Sequence, residues 1–269
     1  MTELRWRYGA ATDVGKVRDL NEDSHLASRR LLAVADGVGG AAAGEVASGV
    51  TIAEVTRLAR RSPVEASAEL GAVVDAARDR IRAAVAENPE SEGMATTLTG
   101  LWLGDNAVDI VHIGDSRAYQ VRGEDFVQVT VDDSYVQHLV DEGAITPAEA
   151  QDHPYKSVVT RVLQANPAPA HFETRPALIG DRYMLCSDGL SDVVDDAVIE
   201  NVLRDFADPQ AAADELVRLA LEGGGPDNVT VVVGDVAEHK PVRRWPWAIA
   251  AIGVVLVIAA IVVALALRG

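Results

Sequence analysis

Four apolar, β-rich runs follow one another directly in the middle of the chain, with only short connections between them. They cover residues 97–103, 107–113, 117–121 and 126–131. Parallel neighbouring strands need a crossover of a dozen or more residues. The four runs therefore predict an antiparallel meander and argue against a doubly wound parallel sheet.

The rest of residues 1–238 alternates between strand and helix patterns. Further β-rich runs lie at 31–35, 182–187 and 229–236, and helical periodicity covers 44–61, 65–87, 134–142, 147–151, 195–205 and 208–222. The last helix has Asp208 as its N-cap, Pro209 at its first position and Gly223 at its end. These patterns predict one α+β domain over residues 1–238, with a mostly helical insertion, the flap, at about 132–165.

Composition excludes several classes of protein. The 269 residues include 41 Asp and Glu against 24 Lys and Arg, a net charge of −17. This balance argues against nucleic acid, because phosphate backbones are bound by clustered Lys and Arg. The single cysteine rules out a disulfide framework and a cysteine-rich zinc site, and it fits a reducing compartment. The first ten residues lack the apolar run of a signal peptide.

The C-terminal part of the sequence predicts a membrane anchor. Residues 248–267 are twenty consecutive positions without a charge, and at about 1.5 Å per residue they match a bilayer core of roughly 30 Å. A basic juxtamembrane segment, 239–247, precedes them, with interfacial tryptophans and more positive charge than follows the span: Lys240, Arg243, Arg244, Trp245 and Trp247. The positive-inside rule then predicts a single-pass cell-membrane protein with its folded domain in the cytoplasm and its C-terminus outside.

Acidic residues stand where several hydrophobic strands end. Asp36 follows the run 31–35, Asp115 follows 107–113, and Asp188 follows 182–187, while Asp227 precedes the last strand. One Asp-Gly pair is usually only a hairpin turn, but convergent carboxylates at strand ends are tolerable if they share divalent cations. Oxygen ligands without a His or Cys cluster favour Mg²⁺ or Mn²⁺ over Zn²⁺.

Six segments that contain these acids resemble, in their order along the chain, the PPM family of metal-dependent protein phosphatases, the protein phosphatase 2C-like enzymes of bacterial type. The segments are 17–24, 34–40, 93–97, 114–117, 186–192 and 225–230. The resemblance implies two packed antiparallel β-sheets flanked by helices, an αββα sandwich, with a metal centre in a cleft at one edge.

The resemblance also implies a role for each matching residue. Asp36 would bridge two metal ions, the Gly37 carbonyl and Glu22 would serve one of them, and Asp188 and Asp227 the other. Asp115 and Asp192 match the ligands of a third, weaker metal site, and Arg18 matches the residue that grips the substrate phosphate. The residues expected to orient these ligands are Asp23, Thr97 and Asn228.

The implied reaction is hydrolysis of phosphoserine and phosphothreonine in proteins by a water that bridges two metal ions. The implied cofactor is Mn²⁺ or Mg²⁺, with two or three ions bound in all. The implied partners are Ser/Thr kinases and their substrates. Two positions depart from the family. Val38 stands where animal-type members carry a His proposed as general acid, and Asp133 stands where bacterial relatives often have His.

Other interpretations remain open on the residues alone. A pseudophosphatase would keep the fold and bind a partner without catalysis, and a phosphatase could serve one dedicated switch protein. A calcium-binding adhesion module does not fit, since no loop has EF-hand spacing. Among single residues, Cys186 is expected to be inert, His112 to be a packed strand residue, and Arg117 to form a salt bridge near Asp115.

Overall fold

The computed structural model describes residues 3–39, 43–60 and 66–239. The chain divides into two units, Met1–Glu238 and His239–Gly269. The predicted membrane helix 248–267, and the juxtamembrane segment from residue 240 onward, lie outside the described residues. Within the described ranges, no helix is long and apolar enough to cross a membrane.

The described residues form thirteen strands and seven α-helices. The strands are β1 (Leu4–Asp13), β2 (Ser24–Ala27), β3 (Leu31–Ala35), β4 (Gly37–Val38), β5 (Ala95–Thr96), β6 (Leu98–Leu103), β7 (Ala107–Ile113), β8 (Arg117–Arg122), β9 (Asp125–Gln128), β10 (Leu163–Gln164), β11 (His171–Pro176), β12 (Arg182–Cys186) and β13 (Val229–Glu238). The helices are α1 (Ala43–Ala59), α2 (Ala66–Glu87), α3 (Tyr135–Asp141), α4 (Pro147–Gln151), α5 (Asp188–Ser191), α6 (Asp196–Asp205) and α7 (Pro209–Glu222).

Two five-stranded antiparallel sheets pack face to face. The first sheet has the order β1-β13-β12-β8-β9 and the second has the order β11-β7-β6-β3-β2, while β10, β5 and β4 form a small third sheet. Side chains from both large sheets meet in one apolar layer, which includes Trp6, Leu101, Tyr183 and Val232. This layer is the centre of the domain.

The strands nearest the centre are apolar at nearly every position because both of their faces are buried. In β3, Leu32 and Val34 point into the layer between the sheets. Leu31 and Ala33, on the other face, pack under α1 and α2. The first sheet is covered in the same way by α5, α6 and α7, whose apolar side chains pack on β8, β12 and β13. The predicted α+β fold with antiparallel sheets flanked by helices is therefore confirmed.

The predicted meander is wrong in one respect. The pairing is antiparallel, but β6 and β7 form a hairpin in the second sheet, whereas β8 and β9 form a hairpin in the first. The chain crosses between the sheets at residues 114–116, where Gly114 has a φ of +112°. The physical reason is burial, since Ile110 of β7 and Ala118 of β8 both enter the layer between the sheets from opposite sides. Asp115 is thus placed on the crossing itself.

Three strands of four or more residues, β1, β2 and β11, were not predicted. The flap is also less helical than predicted. β1 pairs with β13 along ten residues although its sequence mixes arginines with apolar residues. β2 is short and only half-buried, and β11 is an exposed edge strand, so neither carries a strong apolar signal. Between residues 132 and 165 the chain forms α3, α4 and β10, with turns and bends in the remainder. Helix α7 has the predicted Asp208 N-cap, first-position Pro209 and terminal Gly223.

Gly234 of β13 provides a test of the packing between the sheets. A Cβ atom there would lie 2.4 Å from Leu32 Cδ1 and 3.1 Å from Trp6 Cε3, and both side chains are fully buried. We expect Gly234→Ala to lower the free energy of unfolding by about 1–3 kcal/mol through overpacking, measured by denaturant unfolding. Gly71→Ala is the control, because a Cβ in α2 meets nothing within 4 Å. An equal effect of both substitutions would contradict the packing.

Candidate metal centre

The carboxylates that follow β3, β7 and β12 lie together at one edge of the sandwich. Asp36 and Asp188 interact electrostatically with each other and with Asp115 and Asp23. Asp188 also interacts with Asp227, which precedes β13. The two sheets contribute jointly: Asp36 and Asp115 leave strands of the second sheet, and Asp188 and Asp227 flank strands of the first. The structure therefore brings together the four acids singled out at the strand ends.

Proximity and burial make these groups difficult to ionise. Burial, followed by the charges of Asp23, Asp188 and Asp115, raises the pKa of Asp36 well above its ordinary value. Burial, followed by the charge of Asp115, does the same to Asp188. The charge of Asp188 opposes the ionisation of Asp36, so without a cation the pair needs a proton on one of its carboxyl groups. A cation between them would remove that need.

Two further acids share this behaviour. Burial, followed by the charge of Asp132, raises the pKa of Asp115 to about 7. Burial raises the pKa of Asp23 to about 6, against the opposing effect of a hydrogen bond from Ser187. Asp23 Oδ1 is buried and has no hydrogen-bond partner, whereas Asp23 Oδ2 accepts a 2.7 Å bond from Ser187 Oγ. A water molecule or a cation would satisfy the remaining oxygen.

Hydrogen bonds fix the backbone of Asp36 rather than its carboxyl group. Thr97 Oγ1 accepts from the Asp36 N–H at 2.9 Å, and the Thr97 N–H donates to the Asp36 carbonyl at 2.8 Å. Thr96 Oγ1 donates to the same carbonyl at 2.8 Å. Because the backbone is held by a neighbouring strand, the Asp36 side chain has little choice of direction. Thr97 thus fixes the Asp36 backbone through two hydrogen bonds, which agrees with its predicted role of orienting Asp36.

Glycines create the space around Glu22 and Gly37. A Cβ on Gly44 would lie 2.7 Å from Glu22 Oε1 and 2.8 Å from the Gly37 carbonyl oxygen. A Cβ on Gly37 would lie 2.3 Å from the Gly44 carbonyl oxygen. The Glu22 carboxylate and the Gly37 carbonyl therefore border one small space at the start of α1, which any side chain at position 44 would fill. These are the two groups that the resemblance assigns to one metal ion.

Asn228 ties the loop that carries Arg18 and Glu22 to the start of β13. Asn228 Oδ1 accepts from the Glu22 N–H at 2.8 Å, and Asn228 Nδ2 donates to the carbonyls of Val14 and Leu20 at 2.9 and 2.8 Å. Its side chain is buried. Three hydrogen bonds of one side-chain amide hold residues 14–22 against the start of β13, so Asn228 fixes the position of Glu22 relative to Asp227, two predicted ligands that are far apart in sequence.

Arg18 contacts a carboxylate at the mouth of the site. Arg18 Nη2 lies 2.6 Å from Asp227 Oδ2, and its side chain is 53% exposed. The bond to Asp227 raises the pKa of Arg18 above its ordinary value. The guanidinium is thus beside the predicted metal ligands and open to solvent.

The flap contacts the predicted third metal site. Lys156 Nζ lies 3.4 Å from Asp192 Oδ2, and Ser157 Oγ lies 3.5 Å from the same oxygen. Arg117 pairs with Asp132, with Nη2 2.8 Å from Oδ2, so the expected salt bridge near Asp115 is confirmed and Asp132 is its partner. Sequence reasoning missed both Lys156 and Asp132. The adjacent acids Asp132 and Asp133 at the start of the flap were the available signal.

The donor set fits a hard divalent cation, although the side chains do not already surround a single point. Within residues 3–39, 43–60 and 66–239, no group of three His, Cys, Asp or Glu side chains is arranged to hold a metal ion. The repulsion among the acids, the unpartnered Asp23 oxygen and the space beside Gly44 each favour an added cation. Carboxylate and carbonyl oxygens are the ligands that Mg²⁺ and Mn²⁺ prefer.

Two residues set aside in the sequence have structural roles. Cys186 is completely buried, and burial raises the pKa of its thiol to about 12, which is the opposite of an activated nucleophile. His112 is buried in β7, where its ring nitrogens contact Thr99 Oγ1 at 2.9 Å and the Val131 carbonyl at 3.0 Å. Both expectations are confirmed.

Comparison with known proteins gives a consistent result. Residues 16–222 match the family model described as protein phosphatase 2C. The chain is 50% identical over 236 residues to the serine/threonine protein phosphatase PstP of Mycobacterium tuberculosis, covering 87% of this chain and 45% of that relative. It therefore spans about half the length of this relative. It is 32% identical over 238 residues to the protein phosphatase PhpP of Streptococcus pneumoniae, covering 85% of this chain and 96% of the relative.

A solved structure extends the likeness to three dimensions. The crystal structure of the PstP catalytic domain in complex with two manganese ions matches with a TM-score of 0.82 and 48% identity, covering 87% of this chain and 99% of that one.

The raised pKa values predict how the stability of the metal-free protein depends on pH. In the unfolded chain, Asp23 and Asp115 ionise near 3.8, whereas in the folded protein they keep their protons up to about 6 and about 7. Between these limits the folded state binds more protons, so we expect stability in EDTA to fall as the pH rises from about 4 to about 7. Thermal unfolding across this range measures the effect.

Asp23→Asn is the control for this prediction, because it keeps an acceptor for Ser187 but cannot ionise. It should flatten the decline, most of all below pH 6. A melting temperature that rises from pH 4 to pH 7 in EDTA, or an unchanged slope in Asp23→Asn, would contradict the assignment.

Proposed function

The chain belongs to the protein phosphatase 2C family, and on that premise we propose that it hydrolyses phosphoserine and phosphothreonine in proteins. The observation that carries the proposal is the convergence of Asp36, Asp115, Asp188 and Asp227 from the ends of strands in both sheets. Burial, followed by the charges of neighbouring carboxylates, raises the pKa values of Asp36, Asp115 and Asp188, and groups of this kind concentrate at functional sites.

The proposed cofactor is a set of two Mn²⁺ or Mg²⁺ ions, with a third, weaker site. Asp36 would lie between the two ions, with Glu22 and the Gly37 carbonyl on one side and Asp188 and Asp227 on the other. When bound, the ions supply Lewis acidity towards water and phosphate. The support is the oxygen donor set of this chain and the two manganese ions in the PstP structure.

The protein's own groups would position and neutralise the substrate. Arg18 is half-exposed beside Asp227, and its planar guanidinium suits a bidentate hold on two phosphate oxygens. Once cations neutralise Asp227, the attraction that holds Arg18 to it weakens, so the guanidinium becomes available for phosphate. Asn228, which fixes the loop 14–22 to the start of β13, keeps Arg18 and Glu22 at a set distance from Asp227.

A pseudophosphatase is the main alternative, because it would have the same fold. A module that only binds a partner has no use for carboxylates whose ionisation is opposed by burial and by each other. Arg18, Glu22, Asp36, Asp188 and Asp227 are all present here, and this favours catalysis.

Hydrolysis of p-nitrophenyl phosphate by the full chain in detergent tests the proposal. We expect turnover with Mn²⁺, loss of turnover with excess EDTA, and a decrease of about 100-fold or more for Asp36→Asn, because loss of a ligand that bridges two ions impairs both sites. Asp109→Asn is the matched control, since Asp109 is in β7 but hydrogen-bonds only Thr174 on the neighbouring edge strand. Equal rates for the wild type with Mn²⁺, the wild type with EDTA and Asp36→Asn would sink the two-metal mechanism.

We further propose that residues 248–267 tether the domain to the inner face of the cell membrane, where it would oppose Ser/Thr kinases and act on their phosphorylated substrates. The support is the uncharged twenty-residue stretch and the basic residues before it. A tether raises the effective concentration of the enzyme near partners at the same membrane.

The tether makes a prediction about fractionation and orientation. The full chain should sediment with membranes at high salt, and a variant truncated after His239 should stay in the supernatant. Protease added to intact spheroplasts should leave the phosphatase domain uncut and should degrade it only after lysis. Digestion before lysis would refute the cytoplasmic orientation.

A further inference from the structure

One buried acid outside the predicted metal ligands, Asp133, joins three parts of the chain beside them. It stands at the start of the flap and is 7% exposed. Asp133 Oδ2 accepts from the Gly114 N–H at 3.0 Å, and the Asp133 N–H donates to the Gly114 carbonyl at 2.8 Å. These two reciprocal bonds hold the backbone directly before Asp115, at the crossing between the two sheets.

The same residue closes the neck of the flap. The Asp133 carbonyl accepts from the Thr160 N–H at 2.7 Å and from Thr160 Oγ1 at 2.9 Å. Next to this contact, Ser134 and Val159 form an antiparallel bridge. The Tyr135 N–H also donates a hydrogen bond to the Val158 carbonyl. The two ends of the flap therefore meet at Asp133.

A charge pair stabilises this arrangement. Asp133 Oδ1 lies 2.9 Å from Arg161 Nη1 and 3.2 Å from His171 Nε2, and Arg161 and His171 also contact each other. Removing one partner of a buried ion pair strongly destabilises the folded protein, because it leaves a buried charge without compensation. Arg161 comes from the far side of the neck and His171 from edge strand β11, so the Asp133 carboxylate depends on the flap being in place.

The far part of the flap contacts the same region of the site. Lys156 Nζ lies 3.4 Å from Asp192 Oδ2, while Asp133 holds the turn before Asp115. Asp115 and Asp192 also interact electrostatically with each other and with Asp188. A flap that shifts at its neck would therefore disturb both acids at once.

We propose that Asp133 is a positioning residue that couples the neck of the flap to the Gly114–Asp115 turn, and thereby sets the geometry of the cation site that contains Asp115. The inference rests on the proposed function in one respect only, the binding of a cation by Asp115. The coupling itself is a property of the metal-free chain.

The chain offers a matched control pair for Asp133 and Arg161. Asp181 is also buried, at 2% exposure. Asp181 pairs with Arg122 at 2.6 Å and accepts from the Leu178 N–H at 2.9 Å. Arg122 and Arg161 have nearly equal side-chain exposure, 33% and 34%. Asp181, however, immediately precedes β12, at the end of the strand away from Asp188.

The experiment compares Arg161→Gln and Asp133→Ala with Arg122→Gln and Asp181→Ala in the full chain. Amide hydrogen exchange without metal is read at residues 113–117, and Mn²⁺ binding is titrated by the electron paramagnetic resonance of the free ion. Arg161 has no hydrogen bond to Gly114 in the structure, so faster exchange at 113–117 in Arg161→Gln reports coupling through Asp133. We expect that faster exchange, together with a decrease of about 10- to 100-fold in affinity at the weakest Mn²⁺ site of Asp133→Ala, the range typical of residues that orient ligands.

The control variants should lower the melting temperature without either change. Wild-type exchange at 113–117 in Arg161→Gln would overturn the coupling, and so would wild-type Mn²⁺ affinity in a folded Asp133→Ala. If the wild type binds no Mn²⁺ and hydrolyses no phosphate ester, the proposed function fails, while the exchange comparison still decides whether Asp133 couples the flap to the turn.

Discussion

The properties of the site depend on the repulsion among carboxylates that the fold brings together at one edge of the sandwich. Burial and neighbouring charges raise the pKa values of Asp36 and Asp188, and they raise the pKa of Asp115 to about 7. Such an arrangement opposes folding at neutral pH, because each ionised carboxylate disfavours ionisation of its neighbours. Divalent cations in the same space would offset this repulsion, so the cost that the fold bears without metal would also favour the binding of metal.

The sandwich enforces this convergence by holding the backbone of the segments that carry the acids. Thr97 holds the backbone of Asp36, Asn228 holds the Glu22 loop, and Gly114 carries the chain from one sheet to the other immediately before Asp115. The first two contacts join segments that are distant in sequence, and all three features lie close to the ends of strands that pack around the apolar layer between the sheets. Rigid ends of strands are better suited than mobile loops to holding acids against their repulsion.

The sequence was most informative where a single physical rule decides the outcome. A strand buried on both faces reads as a continuous apolar run, which is why β3 and β13 were found and why Asp36 could be placed at a strand end. Prediction failed where partners are remote. β1 owes its strand structure to pairing with β13, and nothing local in its sequence announces that pairing. The meander was split between two sheets because β7 and β8 bury apolar side chains from opposite sides of the layer between the sheets. The contacts of Arg18 with Asp227 and of Arg117 with Asp132 depend on side-chain distances that only the folded chain sets.

We propose that these acids form a site for two cations between the ends of both sheets. Crystals of the protein grown with Mn²⁺, measured at the manganese absorption edge, test it most directly. We expect two strong anomalous peaks on either side of the Asp36 carboxylate, one near Glu22 and the other near Asp188 and Asp227. Well-ordered acids with no anomalous peak beside Asp36, at saturating Mn²⁺ and neutral pH, would contradict it.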